Sequence, residues 1–331
     1  MIVTVTPNPS IDRTVALSGS LTRGAVHRVS SVTTEPGGKG VNVARALTLA
    51  GLEAVAVLPA PSGDPLVAAL SASAVSFSCV PTTGAVRTNL AITEHDGTTT
   101  KLNEPGATLD AAALKALTMS VLASAETASW VVLSGSLPPG VPDNWYAHVV
   151  ALLQSHPCRV AIDTSEGPLA ALVDSFERAA PDLIKPNAEE LAGVLGYSPQ
   201  ALEAAVAQGD PEPVVTAARK LIDRGVGAVL ATLGGAGAVL VDETGSWLAT
   251  PPPIAARSTV GAGDASLAGY LRAEVGGAVP PVRLQMAVAY GTAAAALPGS
   301  ALPTPSQIDL DAVRVTPIAP VSPITNTKVS P

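Results

Sequence analysis

Arg257–Leu271 reads RSTVGAGDASLAGYL, a glycine-rich turn and one carboxylate at the head of an apolar helix. Gly261, Ala262 and Gly263 carry little or no side chain, so their backbone N–H groups can converge on one anion. The first turn of a helix adds unpaired donors and the positive end of the helix dipole, which favour a phosphate or a developing oxyanion. Asp264 is an odd neighbour for such a place, because its charge repels the anions that the turn attracts. The conflict resolves if Asp264 takes a proton from a hydroxyl while the donors hold the phosphoryl group under attack. An aspartate that merely caps or lines the helix start is the other reading, and this motif alone does not choose between them.

Outward from that turn, short β-rich runs alternate with longer Ala/Leu-rich runs. Ile2–Val5, Ala54–Leu58, Trp130–Leu133, Arg159–Ile162, Leu183–Ile184 and Ala228–Thr232 read as buried strands. Val41–Ala50, Ala111–Ala123, Trp145–Leu153, Pro213–Asp223 and Ala265–Val275 read as helices. The alternation predicts an α/β fold, with a parallel sheet covered by helices on both faces. Thr14–Thr33 and Arg87–Leu102 break the pattern, being rich in Thr, Val and Ser without a helical period. With His95-Asp96-Gly97 as a hairpin turn, they predict a small antiparallel sheet that projects from the core and covers a site. The exposed face of such a sheet needs a partner surface, so a homodimer through this lid is expected. Thr316–Pro331 has the Pro/Thr/Ser composition of a flexible tail, which places the end of the domain near residue 312.

Composition narrows the function. The 331 residues are 47% hydrophobic and 14% charged, enough for a large core, and with aromatics at 3% that core must be built from small side chains. The net charge of −8 argues against a nucleic-acid binder, yet leaves room for a small phosphorylated substrate held by a few local cations. Cys79 and Cys158 form neither a disulfide framework nor a zinc site, and the four histidines lack metal-ligand spacing. No signal peptide and no apolar run of roughly 20 residues is visible, so a cytoplasmic protein without a membrane segment is expected.

Pro36–Ala46, PGGKGVNVARA, is the second strong signal. Gly37, Gly38 and Gly40 allow close approach of a ligand, Lys39 adds a cation, and Asn42 offers its amide to sugar hydroxyls. A structural loop between a lid strand and a helix is the plainer alternative. It is not a P-loop, because Gly40 follows Lys39 where that motif needs Ser or Thr. Asp12, just past the first strand, can accept from two vicinal hydroxyls or can be an ordinary turn aspartate. Arg87 and Lys101 sit on the two lid strands, either as cations brought over a phosphate or as solvated strand charges. Ser134-Gly135-Ser136 closes a buried strand, and the carboxyl ends of parallel strands are where ligands gather, which places Ser136 near the site. Lys185-Pro186-Asn187 also follows a strand; Asn187 can face phosphates and Glu190 can hold a water of hydrated Mg²⁺, or the pair can simply cap a surface helix. Thr232, Gly234, Gly235, Ala236 and Gly237 lie between two β-rich runs, where a hairpin turn explains the glycines and a nucleotide lying along the turn is the functional reading.

Taken in order, these motifs resemble the ribokinase-like (PfkB) carbohydrate kinase family. PGGKGVNVARA matches its amino-terminal signature and STVGAGDASLAGYL its carboxyl-terminal one, with SGSLPPG, KPNAEE and TLGGAGAVLV between them. The match spans about residues 1–312, and TPNPSIDRTV, VRTNL and KLNEPGA place it in the phosphosugar branch. The resemblance implies a three-layer α/β/α core with a mostly parallel sheet and a β lid. It implies Asp264 as catalytic base and Gly261, Ala262 and Gly263 as anion hole. Asp12, Gly37, Gly38, Lys39 and Asn42 would hold the sugar, with Arg87, Lys101 and Ser136 toward its phosphate. ATP would meet Lys185, Asn187, Thr232, Gly234, Gly235, Ala236, Gly237 and Gly263, joined by Val288 and Thr292 from a late helix, with Glu190 tied to Mg²⁺. The implied reaction is ATP-dependent phosphorylation of fructose 1-phosphate; tagatose 6-phosphate and fructose 6-phosphate are the alternative acceptors. Members that act on fructose 6-phosphate in this branch have glycine in place of Lys39, and a lysine and an arginine near positions 25 and 27, where this chain has Ala25 and His27. A non-catalytic sugar-phosphate sensor on the same fold would have lost the base or the glycines, and both are intact.

Overall fold

The computed structural model describes residues 1–318. After β1 (Ile2–Val5) the chain leaves the core for β2 (Ser10–Leu17) and β3 (Val29–Gly37). It returns through α1 (Lys39–Leu49), β4 (Ala54–Ala60), α2 (Pro65–Ala72) and β5 (Ser76–Pro81), then leaves again for β6 (Arg87–Thr93) and β7 (Thr99–Asn103). Next come α3 (Ala111–Ala125), β8 (Trp130–Ser134), α4 (Trp145–Leu153), β9 (Arg159–Asp163), α5 (Glu166–Val173), β10 (Leu183–Ile184) and α6 (Ala188–Leu195). α7 (Pro199–Ala207) and α8 (Glu212–Ile222) precede β11 (Ala228–Thr232), β12 (Ala238–Asp242) and β13 (Gly245–Thr250). The described chain ends with α9 (Ala262–Val275), α10 (Pro280–Ala295) and β14 (Arg314–Pro317).

The core sheet has ten strands in the order β14-β13-β12-β11-β10-β9-β8-β1-β4-β5. β11 through β5 are parallel, while β12, β13 and β14 join antiparallel. Its strands are apolar on both faces, as a sheet covered twice requires. Val3, Val131, Leu133, Val160 and Ile162 face a core completed by α3 to α8. Ile2, Ala54, Ala56, Val132 and Ala161 face the other, completed by α1, α2, α9 and α10. The small side chains let helices come close. A Cβ on Gly269 of α9 would stand 2.6 Å from the Met286 carbonyl oxygen of α10, so that glycine sets the approach of the two helices. No helix among the described residues is long and apolar enough to cross a membrane.

The lid is a separate four-stranded sheet, β3-β2-β6-β7. Its outer pairs are antiparallel, but β2 and β6 run parallel, contrary to the all-antiparallel lid expected from the sequence. Both strands leave the core from the carboxyl ends of parallel strands, β1 and β5, and so travel outward in the same direction. The expected tail from 313 also needs correction. Arg314–Pro317 pairs with β13, where the edge of the sheet would otherwise present unpaired backbone groups to solvent. Residues 319–331, the rest of that expected tail, lie outside the described residues.

Candidate active site

Strand order reverses between β1 and β8, since β4 and β5 follow β1 to one side and β9, β10 and β11 follow β8 to the other. A parallel sheet opens a crevice at such a point, beyond the carboxyl ends of its strands. The loops after β1, β8, β9, β10 and β11 therefore converge there. α1 reaches it over a bare backbone, because a Cβ on Gly40 would stand 2.8 Å from the Val5 carbonyl oxygen. α9 enters from the same side, with Gly261 at φ 77° as its cap and Asp264 in its first turn.

Asn42 donates from Nδ2 to Asp264 Oδ2 at 2.9 Å, a buried bond across 222 residues of sequence. The two motifs read separately from the sequence thus meet in one place. Asp264 is only 7% exposed. Burial raises its carboxyl to about 6, and the negative charge of Asp163 adds to the rise, while Lys39 and the Asn42 bond oppose it. A carboxylate raised to this range can exchange a proton near neutral pH. Asn42 Oδ1 has no partner, which leaves an acceptor free beside that carboxylate.

Asp163, the last residue of β9, was not singled out from the sequence. Its side chain is fully buried between two ammonium groups, Lys39 Nζ at 2.8 Å and Lys185 Nζ at 3.2 Å. Burial alone would raise its carboxyl, yet Lys185 and Lys39 outweigh that and hold it below the usual range. Burial pulls Lys39 down, but Asp163, Glu190 and Asp264 together push it above an ordinary lysine. Lys185 lies against the glycine turn, since a Cβ on Gly263 would stand 3.3 Å from its Nζ. One lysine comes from the amino-terminal motif and one from the loop after β10, and a single buried carboxylate holds both.

The residues expected for the sugar lie where the lid joins the core. Asp12 accepts from Ser10 Oγ at 2.7 Å and from Asn89 Nδ2 at 3.1 Å. Gly37 leaves room for it, for a Cβ there would collide with the Asp12 carboxylate. Gly38, at φ 104°, passes 3.2 Å from the Pro9 backbone by the same measure. Arg87 donates to the Glu104 carbonyl oxygen at 3.1 Å, its Nε is buried without a partner, and burial lowers it from the usual arginine value despite Asp12 and Glu104. Ser136 Oγ accepts from Asn8 Nδ2 at 3.3 Å. Lys101 stands apart, exposed on the edge strand β7 opposite Ala91 and without an ion pair among the described residues. Asn8, Asn89 and Ser10 were missed, because isolated Asn and Ser carry no spacing signal.

On the far side, Asn187 caps α6 by accepting from the Glu190 N–H at 2.8 Å, and Glu190 returns the bond to the Asn187 N–H at 2.9 Å. Glu190 is pushed above the ordinary glutamate value by burial, with Lys39 partly opposing. Asn187 bridges Thr232, which joins the loop after β10 to the end of β11. Gly234–Ala236 form a single tight turn, and Gly237 at φ 103° closes the hairpin into β12. Val288 is buried on α10 and Thr292 half-buried one turn later.

Residues 6–307 match the pfkB family carbohydrate kinase model. The 1-phosphofructokinase of Xanthomonas campestris pv. campestris is 37% identical over 82% of this chain and 83% of its own. That of Rhodobacter capsulatus is 36% identical over 93% and 94%. Among solved structures, phosphofructokinase-2 from Escherichia coli in complex with substrates and products superposes with a TM-score of 0.83 at 30% identity, over 92% of this chain and 96% of that one. The chain belongs to the pfkB family of carbohydrate kinases.

Proposed function

We propose that this protein transfers the γ-phosphoryl group of ATP to a primary hydroxyl of fructose 1-phosphate, giving the 1,6-bisphosphate. The observation that carries the reading is the Asn42–Asp264 bond, which sets a proton acceptor with a raised pKa at the mouth of a glycine turn. Phosphoryl transfer is mostly positioning and charge stabilisation. Asp264 takes the proton of the attacking hydroxyl. The N–H groups of the 261–263 turn hold the charge that builds on the transferring oxygens. Asp12 and Asn42 grip the sugar hydroxyls, and Arg87 with its free Nε meets the phosphate already on the sugar. Asp163 keeps the Lys39 and Lys185 ammonium groups at the meeting point of the two substrates.

Asn187, Thr232 and the 234–237 turn line the nucleotide side. Among the described residues no group of three or more His, Cys, Asp or Glu forms a metal nest. Magnesium would accompany ATP, and the Glu190 carboxylate oxygen that does not cap α6 would hold it through a water. When bound, it neutralises phosphate charge.

Fructose 1-phosphate is favoured over the 6-phosphates by the names of the two relatives above 35% identity and by Lys39. Ala25 and His27 also stand where members acting on fructose 6-phosphate carry a lysine and an arginine. The lid leaves Val26 90% exposed, with Val29, Val32 and Leu102 also exposed, and a second copy is the proposed cover. The deciding experiment is kcat/KM on fructose 1-phosphate, tagatose 6-phosphate and fructose 6-phosphate, each with MgATP. Preference for fructose 1-phosphate by about tenfold or more supports the reading. Preference for either 6-phosphate overturns the substrate, and no turnover of any of the three overturns the reaction.

A further inference from the structure

We infer that Glu35 and Ser300 form a latch that ties the lid to the glycine turn before α9, which makes Glu35 a positioning residue for both halves of the cleft. Glu35 sits two residues before Gly37 and directly opposite Asp12 in the β2–β3 ladder. One of its carboxylate oxygens accepts from Arg45 of α1 at 3.1 Å, and the other accepts from Ser300 Oγ at 2.6 Å. Ser300 is 4% exposed and lies 265 residues away in sequence. Its neighbour Gly299 runs along β2, where a Cβ would stand 3.3 Å from Thr14 Oγ1.

The segment that carries Ser300 is bonded at its other end to the catalytic side. Ala295, the last residue of α10, accepts from the backbone N–H groups of Arg257 at 2.8 Å and Ser258 at 3.2 Å, on the stretch that leads into the turn. Leu302 reaches to 3.8 Å from where a Gly261 Cβ would be. Residues 295–302 thus touch the stretch around the glycine turn at both ends, through Ala295 and Leu302, and the lid strands between them, through Gly299 and Ser300.

The lid is also held at its base by Arg45, which donates to the Pro36 carbonyl oxygen at 3.2 Å, and by Ile11, which packs against the core. Residues 29–34 of β3 are exposed along their whole length, so no core packing fixes them. A hydrogen bond from a buried hydroxyl to a charged carboxylate is among the stronger single contacts available. If the lid swings, Glu35 leaves Ser300 or pulls the 295–302 segment with it, and either event is felt at the turn. Linkage makes the effect mutual, so a sugar phosphate that closes the lid tightens the nucleotide side, and a nucleotide returns the effect. This inference rests on the proposed reaction for what the two halves bind, though the contact itself does not.

Two readouts on the full chain test it, with Ser300→Ala and Glu35→Gln as independent variants. The first is amide hydrogen exchange without ligands. Each variant should speed exchange about fivefold or more in both 29–37 and 257–263, with β8 and β9 unchanged. The second is the dissociation constant of fructose 1-phosphate with and without a non-hydrolysable ATP analogue. The native protein should show mutual tightening, and each variant should lose roughly fivefold to tenfold of it, with the affinity for the analogue alone within about twofold of native. Faster exchange confined to the lid, or an unaltered coupling factor, overturns the latch. If the native protein binds neither probe, the proposed reaction fails while the exchange result still decides the latch.

Discussion

The ten-stranded core sheet and the four-stranded lid follow opposite rules. Core strands such as β1 and β8 are buried at every position, whereas the central lid strand β6 is half-buried throughout and β3 is exposed over its first six residues. Asp264, Lys39 and Lys185 belong to the core half, and Asp12, Asn89 and Arg87 stand on lid strands. Under the proposed reaction, chemistry belongs to the buried half and recognition to the half-buried lid, where opening exposes little apolar surface. Substitutions in the core half should therefore change turnover, and those in the lid should change substrate affinity.

The largest effect is expected at the core. Asp264→Asn should lower kcat by a factor of at least about 10²–10⁴ while MgATP binding by calorimetry stays near native. The same variant should be more stable at neutral pH. The Asp264 carboxyl, ordinarily near 3.8, is raised to about 6 in the folded protein, so the folded state holds its proton more tightly than the unfolded chain. Stability from this group is full below pH 4 and is lost as pH rises through 6, by roughly 1–3 kcal/mol. A neutral amide at this position carries no such penalty, so the melting temperature of the variant should exceed native at pH 8 and match it near pH 4. An equal difference at both pH values would contradict the raised pKa.

Next in size is the joint between the halves. Gly37→Ala drives a methyl into the Asp12 carboxylate and should raise KM for the sugar phosphate about tenfold to a hundredfold, with KM for ATP little changed. Parallel loss for both substrates would show that the two halves cannot be separated in this way. Smallest is Lys101→Met at the exposed lid edge, which should raise the sugar-phosphate KM by no more than about threefold and lose even that at high salt. A drop in kcat there would mean that the lid carries chemistry.

The same contrast explains what was legible in the sequence. The six strands read as buried runs all lie in the core, within two residues of their ends in the structure, because a sheet covered on both faces demands continuous apolar stretches. The glycine motifs were legible because turns with φ of 77° and 104° admit little else. The lid topology was not, since β-rich polar runs say that strands exist but not which way they pair. β14 escaped because four residues amid prolines carry little pattern. Asp163 was visible only as the one charge after RVAI, and its importance came from two lysines, 124 residues upstream and 22 downstream, that no local spacing connects to it.

The most direct test of a single cleft built from both halves is the pH dependence of kcat/KM for fructose 1-phosphate in the native protein and in Asn42→Ala. The native acid limb should fall near pH 6, where Asp264 loses its proton and becomes able to accept one. The Asn42 bond stabilises the ionised form, so removing it should move the limb to higher pH. A limb that stays in place, or moves to lower pH, would mean that Asn42 does not touch the reacting carboxylate and that the two motifs do not meet.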